Sequence, residues 1–156
     1  MSQIAEYLLR IVERRATMSY PPDFKYSCVE DFVLREGMFY GGRSDNSNEY
    51  KKGKMKDCYR NAYLLADAFS DLTYCEGYAM GIIPVLHAWC IDSEGQVIDN
   101  TWPDGSEYYG VRFKFWFVTD TIFRHRCWGV IDNWQDKWPL LRGEGDKKWK
   151  ASGMTM

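Results

Sequence analysis

A cysteine, a histidine and an aspartate follow one another along this chain at Cys58, His87 and Asp99. The cysteine opens an apolar run with the pattern of a helix, and the other two residues each lie in a short strand-like run. A thiol, an imidazole and a carboxylate are the three groups of an activated cysteine nucleophile. The order of these residues therefore predicts cysteine-dependent chemistry on an amide or an ester.

The residue before Cys58 predicts that the thiol lies at the start of a helix. Asp57 is a good N-cap residue, which would put Cys58 in the first turn. There the helix dipole and the free backbone amides favour a thiolate over a thiol. The Asp57 carboxylate would partly oppose that effect, so His87 would have to supply much of the activation. The alternative interpretation is a small buried apolar side chain, as free cysteines often are.

The segment between His87 and Asp99 predicts a hairpin that brings the two side chains together. Residues 92–95, Asp-Ser-Glu-Gly, are typical of a type I turn followed by a left-handed glycine, which makes a three-residue loop. In that register His87 and Asp99 share a face of the sheet, near hydrogen-bonding reach, together with Trp89. A two-residue loop would put them on opposite faces. The alternative is that His87 is a core histidine and Asp99 a turn or ladder-end residue.

The surrounding pattern predicts helices first and then an antiparallel sheet, which is the α+β class. Apolar residues at helical spacing predict a helix over 3–16, and a capping box from Ser27 to Glu30 predicts a second helix that stops at Gly37. The Cys58 helix is expected to run to about residue 70. Strands are predicted over 72–80, 84–92, 96–102 and 108–118, with a helical turn at 119–124. Residues 41–54 are expected to form a mobile polar loop, and 143–156 a frayed tail.

Several short motifs around these residues resemble the transglutaminase-like core of the papain-like cysteine peptidase superfamily. That family has a cysteine at a helix start, a strand that ends in Gly-Tyr, a His-Ala-Trp motif, and an aspartate followed shortly by Thr-Trp. The matching positions here are Cys58, Gly77-Tyr78, His87-Ala88-Trp89 and Asp99-Asn100-Thr101-Trp102. They occur in the family's order, and the resemblance covers roughly residues 55–118.

The resemblance implies a papain-like fold in which the cysteine helix packs on an antiparallel sheet. It implies that Cys58 is the nucleophile, His87 the base and acid, and Asp99 the residue that orients the imidazole. Members of the superfamily include proteases, amidases, deamidases and acyl transferases, and some have lost catalysis. One departure is that no glutamine precedes the cysteine as an oxyanion-hole donor. The Cys58 amide would be one donor, and the second could be Lys52, Asn48 or a tyrosine hydroxyl.

Aromatic residues near the three candidate residues are candidates for substrate binding. Tyr108 and Tyr109 follow the loop after the Asp99 strand, and we expect them at the rim of a substrate groove. Trp89 and Trp102 belong to the two motifs that contain His87 and Asp99, and we count them as substrate-binding candidates as well. The competing interpretation of the aromatic residues is that most of them pack in the core.

Composition places limits on the class of protein. The 156 residues suit one domain, and a net charge of −2 does not favour a nucleic-acid partner. Five cysteines without finger-like spacing predict free thiols in a reducing cytoplasm, with no metal site, no cofactor and no membrane span. The four cysteines other than Cys58 lack the helix-start context, and we assign them to packing: Cys28, Cys75, Cys90 and Cys127.

Two functional hypotheses follow from the sequence. The first is a thiol hydrolase of a peptide, isopeptide or side-chain amide, with an acyl transferase as its nearest variant. A peptide or protein is the expected substrate, and a small amide ligand is the alternative. The second hypothesis is an inactive binding module of the same fold that uses an aromatic groove. The sequence leaves the oligomeric state open.

Overall fold

The computed structural model of the chain describes residues 1–152 and shows an α+β fold. Its helices in that range are α1 (Gln3–Ala16), α2 (Val29–Glu36), α3 (Cys58–Ala68) and α4 (Phe115–His125). Its strands are β1 (Met38–Gly41), β2 (Thr73–Met80), β3 (Pro84–Ile91), β4 (Val97–Ile98) and β5 (Glu107–Arg112). Two short 3-10 helices lie at Asp45–Glu49 and Trp134–Asp136. None of these helices is long and apolar enough to cross a membrane.

The five strands form one antiparallel sheet in the order β1-β5-β2-β3-β4. The central strand β2 pairs along most of its length with β3 on one side and β5 on the other. Just beyond β1, Arg43 forms an isolated bridge with Val97 of β4. Because β1 and β4 are the two edges of the sheet, this bridge shows that the sheet curls until its edges meet.

The two faces of the sheet carry two separate apolar clusters. The larger cluster lies under the helices and contains buried residues of α1, α2, α3 and α4 packed on even-numbered residues of β2 and β3, such as Tyr74, Tyr78 and Cys90. The smaller cluster lies inside the curl and contains odd-numbered residues such as Cys75 and Trp89. This alternation follows from the two-residue period of a strand, which sends successive side chains to opposite faces.

The first two helices begin for different reasons. In α1 the side chain of Ser2 accepts a hydrogen bond from Ala5 N at 3.2 Å, and the helix spans the predicted residues 3–16. The predicted capping box at Ser27 is wrong, because Cys28 occupies the N-cap position and makes no side-chain cap bond. The Asp31 carboxylate instead accepts from Ser27 N at 2.9 Å. That contact satisfies the backbone just before the helix, and α2 ends at Gly37 as predicted.

The predicted strand over 108–118 is correct only in its first half. β5 ends at Arg112, and Phe113 N still bonds to Tyr74 O at 3.0 Å. From Phe115 the chain is helical, because Val118 and Ile122 lie four residues apart and face the core together. The alternating apolar residues suited either structure, and burial of the helical face decided between them.

The segment expected to be a mobile loop, 41–54, is tied to the sheet. It continues from β1, a strand that the sequence pattern did not predict, into the first 3-10 helix. Ser44 N donates to Val97 O at 2.9 Å, and the Asn46 side-chain amide donates to Gln96 at 2.9 Å. Polar composition indicated a loop here because the hydrogen-bonding partners lie some fifty residues away in sequence.

The described part of the expected frayed tail is docked on the fold. Trp149 is buried and packs on Phe32 and Phe113, with ring centroids 5.2 and 5.3 Å away. Lys147 and Lys150 place their amines 3.4 and 3.3 Å from the Glu36 carboxylate. Residues 153–156 of the predicted tail lie outside the described residues.

Candidate functional site

His87 and Asp99 form a buried ion pair across the β3–β4 hairpin. The distance from His87 Nε2 to Asp99 Oδ2 is 2.8 Å, and each side chain is 1% exposed. The register pairs Cys90 with Ile98, and Gly95 has a φ of +81° in the three-residue loop. Only this register puts odd-numbered residues opposite odd-numbered ones, so the predicted hairpin geometry is confirmed.

The Asp99 carboxylate is held by three further donors. Tyr108 Oη donates to Oδ2 at 2.6 Å, and the backbone amides of Thr101 and Trp102 donate to Oδ1 at 2.9 and 3.1 Å. Both oxygens are therefore engaged, and the carboxylate has one orientation toward His87. The Asp-x-Thr-Trp spacing makes this possible, because the chain turns back over its own aspartate immediately after β4.

The backbone of Asp99 is fixed by the segment after β1. Asp99 N donates to Ser47 Oγ at 3.0 Å, and Arg43 Nε donates to the Asp99 carbonyl at 3.0 Å. Ser47 is itself buried and also bonds to the Val97 carbonyl. These two positioning residues were missed in the sequence, because neither lies in a motif or near Asp99 along the chain.

The pair has mutually adjusted pKa values. Burial favours the neutral carboxyl, but His87 and the surrounding hydrogen bonds outweigh it and lower the pKa of Asp99. For His87, burial favours the neutral imidazole. Hydrogen bonding to Asp99 and to Cys58 outweighs burial and raises the pKa of His87 from 6.5 to about 9. The pair with Asp99 and the neighbouring Cys58 thus both favour the protonated form of the imidazole.

Cys58 is the first residue of α3, as predicted, and is partly exposed. Asp57 occupies the N-cap position but makes no side-chain cap bond, and its carboxylate lies 3.9 Å from Arg60 instead. The backbone amides of the first turn are thus left free of the capping carboxylate that we expected to oppose the thiolate. Since Asp99 takes Nε2 of His87, Nδ1 is the ring nitrogen available to the thiol.

The position of the site follows from the short length of β4. That strand pairs with β3 only at Cys90 and Ile91, so within residues 1–152 no strand pairs with β3 alongside His87 on that side. Helix α3 packs on the other face of β3, where Cys90 Sγ contacts the Ala62 carbonyl at 3.3 Å. Cys58, at the start of α3, is close enough to the imidazole to raise its pKa.

Two of the aromatic residues expected to bind substrate are buried behind the ion pair. Trp89 is 1% exposed and Tyr108 is 0% exposed, and their rings lie 4.9 Å apart. Two glycines leave room for these rings, because a Cβ on Gly110 would lie 2.6 Å from the Trp89 ring and a Cβ on Gly105 would meet the Tyr108 ring. Tyr108 donates to Asp99 and the Trp89 ring lies 6.2 Å from the His87 ring, so both are buried supports of the pair and not the expected substrate contacts.

The other two aromatic candidates lie on opposite faces of the sheet. Tyr109 points to the helical side, where its hydroxyl donates to the Leu34 carbonyl at 3.2 Å, away from His87. Trp102 covers the imidazole with a ring-centroid distance of 4.3 Å and is half-buried. It also lines a cavity of about 230 Å³ together with Arg43 and Lys52. Trp102 is therefore the candidate that combines contact with His87 and access from outside.

The four cysteines assigned to packing are free thiols in a different environment from Cys58. Burial raises the pKa of each of them, and Cys75 and Cys90 are fully enclosed. Cys127 is partly exposed. In residues 1–152 no group of three or more histidine, cysteine or acidic side chains is arranged to hold a metal ion.

No protein-family model, curated protein sequence or solved structure shows significant similarity to this chain. The likeness to the transglutaminase-like core therefore depends on the motifs and on the geometry around Cys58, His87 and Asp99.

Proposed function

We propose that this protein is a cysteine-dependent hydrolase of amide bonds with a transglutaminase-like, papain-like core. The observation that carries the proposal is the buried His87–Asp99 pair, 2.8 Å apart, with Cys58 at the start of α3 contributing to the raised pKa of the imidazole. A histidine and a carboxylate could be buried together for stability alone. A partly exposed thiol on the remaining side of that histidine is the arrangement that nucleophilic catalysis requires.

The reaction begins with attack of the Cys58 thiolate on the amide carbonyl, which forms a C–S bond and a tetrahedral oxyanion. The His87 imidazolium then gives its proton to the leaving nitrogen, so that the C–N bond breaks and an amine departs. Neutral His87 next takes a proton from water, and the resulting hydroxide attacks the thioester. Collapse of the second intermediate breaks the C–S bond, releases a carboxylic acid, and returns Cys58 as the thiolate and His87 as the imidazolium. Asp99 stays ionised throughout and holds the ring in one orientation.

The backbone at the start of α3 is suited to stabilise the oxyanion. Free N–H groups point out of a helix N-terminus, and the Asp57 side chain does not occupy them. Of the second donors considered from sequence, the Asn48 side-chain oxygen accepts from Arg43 at 3.0 Å. Asn48 and Lys52 both line the cavity beside Trp102. Loss of one oxyanion donor costs about 2.7–4 kcal/mol of transition-state stabilisation, so the choice of donor matters for rate.

The inactive binding module is the second candidate, and the structure offers one observation in its favour. Trp102 lies directly over the imidazole and covers part of it. A ligand could bind around such a ring without any chemistry. The buried charge pair weighs against this, because a binder gains nothing from an imidazolium held next to a free thiol.

The experiment that tests the proposal is covalent capture by a panel of peptide amides and matched electrophiles, read by intact mass. Wild type should gain one adduct that maps to Cys58, and Cys58→Ala should gain none. Cys127→Ser is the matched control, because Cys127 is also partly exposed but lies outside the triad. An adduct on Cys127 in place of Cys58 would contradict the proposal.

Turnover in the presence of a primary amine separates hydrolysis from acyl transfer. We expect water to be the acceptor, with free acid as the product. Preferential incorporation of the amine would make the protein a transferase.

A further inference from the structure

A second cavity, of about 200 Å³, adjoins the candidate site on the helical side of the sheet. Tyr59 and Leu86 line it, and these residues directly follow Cys58 and directly precede His87. A group bound there would therefore lie near the start of α3, on the face of β3 opposite the His87 side chain. The cavity is large enough for one extended side chain and too small for a folded partner.

The walls of this cavity are aromatic. Trp128 and Trp134 line it together with Tyr59, and the two tryptophans are 43% and 62% exposed. Exposed aromatic rings clustered around a cavity are typical of ligand sites, and their faces carry negative electrostatic potential. Aromatic faces around a cavity attract cations, with tryptophan the most effective of the rings.

The charges in the cavity have one sign. Glu76 is buried in its floor, Asp132 is exposed at its rim, and no lysine or arginine lines it. Both Glu76 oxygens accept hydrogen bonds from Val130 and Ile131 amides and the Tyr74 hydroxyl, at 2.6–3.0 Å. Within residues 1–152 it has no ion-pair partner.

Asn133 gives an independent indication of a missing polar ligand. It lines the cavity, is 3% exposed, and in the described structure neither its side-chain oxygen nor its nitrogen has a hydrogen-bond partner. A buried amide left without partners costs about 1–3 kcal/mol, so such groups are normally paired. A ligand with hydrogen-bond donors would supply a partner for the oxygen.

We infer that this cavity binds the cationic side chain of a peptide substrate, an ammonium or a guanidinium group, and places the adjoining amide at Cys58. The identity of the reacting bond rests on the proposed function, whereas binding of the cation does not depend on it. The aromatic walls, the Asp132 carboxylate at the rim and the unpaired amide of Asn133 all favour a cation with N–H donors. A neutral side chain of the same shape lacks the charge that these groups attract.

Binding is measured on Cys58→Ala protein by tryptophan fluorescence and NMR, with Nα-acetyl-arginine amide as the probe. The neutral isostere Nα-acetyl-citrulline amide is the comparison. We expect the arginine probe to bind at least tenfold more tightly and to shift the resonances of Trp128 and Trp134. Asp132→Asn should reduce that preference three- to tenfold, whereas Asp120→Asn, an exposed residue of α4 outside the cavity, should leave it unchanged. Equal affinity for the two probes, or a preference that Asp132→Asn does not alter, would overturn the inference.

Chloromethyl ketones of arginine and citrulline distinguish failure of this inference from failure of the proposed function. In wild-type protein, faster labelling of Cys58 by the arginine reagent supports both. Labelling of Cys58 at equal rates by the two reagents leaves the hydrolase standing and overturns the cation site. If the arginine amide binds but neither reagent labels Cys58, the cation site is supported and the hydrolase proposal is contradicted.

Discussion

Two buried carboxylates in this protein have nearly the same hydrogen-bond donors and opposite pKa shifts. Asp99 and Glu76 are each 1% exposed, and each accepts from one tyrosine hydroxyl at 2.6 Å and from two backbone amides. Asp99 also contacts His87, and its pKa is lowered. Glu76 contacts no cation in the described residues, and burial raises its pKa. Since the donors are alike, the contact with His87 distinguishes Asp99, while burial, with Asp132 nearby, raises the pKa of Glu76.

The tyrosines extend this comparison. The Tyr108 hydroxyl, on β5, donates a hydrogen bond to Asp99. The Tyr74 hydroxyl donates to Glu76, two residues further along β2. Both phenols are fully buried and their pKa values are raised, first by burial and then by the carboxylate beside them. The two sites therefore use one structural solution for a buried acid, on opposite faces of a single sheet.

The largest expected effect is on turnover and comes from removing the charge of Asp99, the carboxylate paired with His87. Asp99→Asn keeps the shape but loses the ion pair, so His87 loses both its orientation and much of its protonation. Turnover of an amide substrate should fall on the order of 10²–10⁴-fold, the range associated with loss of acid–base catalysis. Steady-state kinetics at matched folding, checked by circular dichroism, measure this. A variant within threefold of wild type would exclude Asp99 from the mechanism.

The matching substitution at Glu76 should lower the stability of the fold. Glu76→Gln turns one acceptor into a donor that faces an N–H or hydroxyl, and leaves buried polar groups unsatisfied. We expect the free energy of unfolding to fall by about 1–3 kcal/mol. Urea denaturation measures the change, with Glu94→Gln, on the exposed hairpin loop, as the control. Unchanged stability would mean that the Glu76 hydrogen bonds contribute nothing net.

Removing the Tyr108 hydroxyl, which supports the ion pair, should lower turnover less than Asp99→Asn does. Tyr108→Phe removes one hydrogen bond to a charged carboxylate, worth about 1.5–3 kcal/mol, and leaves the apolar packing in place. Turnover should fall severalfold because Asp99 is held less firmly. Tyr74→Phe is the matched variant at Glu76 and should lower stability alone. Kinetics and denaturation of the two proteins together test this, and the reverse pattern would contradict the assignment.

The protonation state of His87 can be followed without turnover. In Cys58→Ala protein, which lacks the thiol, the pKa of the ring should still lie above 6.5 because Asp99 remains. The pKa of His87 in the folded protein lies above the unfolded value, so protonation of the ring stabilises the fold. This stabilisation is complete below pH 6.5 and is lost as pH rises through the folded pKa, which is about 9 in the intact site. Nitrogen-15 NMR of the ring measures it. In Asp99→Asn the titration should move down toward 6.5.

The hairpin and the start of α3 were predictable because their signals are local. Gly95 fixed the loop length, the loop length fixed parity, and parity placed His87 beside Asp99. Asp57 predicted the start of α3, although its side chain makes no cap bond there. Such features need only a few neighbouring residues.

The features that the sequence did not predict depend on distant contacts. Ser47 and Arg43 reach Asp99 only because the sheet curls until β1 approaches β4. Trp149 is buried because Phe113 and Phe32 provide a surface for it, which no pattern near the C-terminus indicates. Trp89 was expected at the substrate site because it belongs to the His87 motif, and Tyr108 because it follows the loop after Asp99. Strand parity turns both rings inward, and Gly110 and Gly105 leave room for them.

The central claim is that Cys58 is an activated nucleophile, and limiting alkylation of the wild-type protein tests it most directly. Iodoacetamide near neutral pH, followed by peptide mapping, gives the relative rates of all five thiols. Cys58 should react first, since burial raises the pKa of the other four. His87→Gln should slow Cys58 selectively. Preferential labelling of Cys28 or Cys127, with Cys58 protected in the folded protein, would contradict the account.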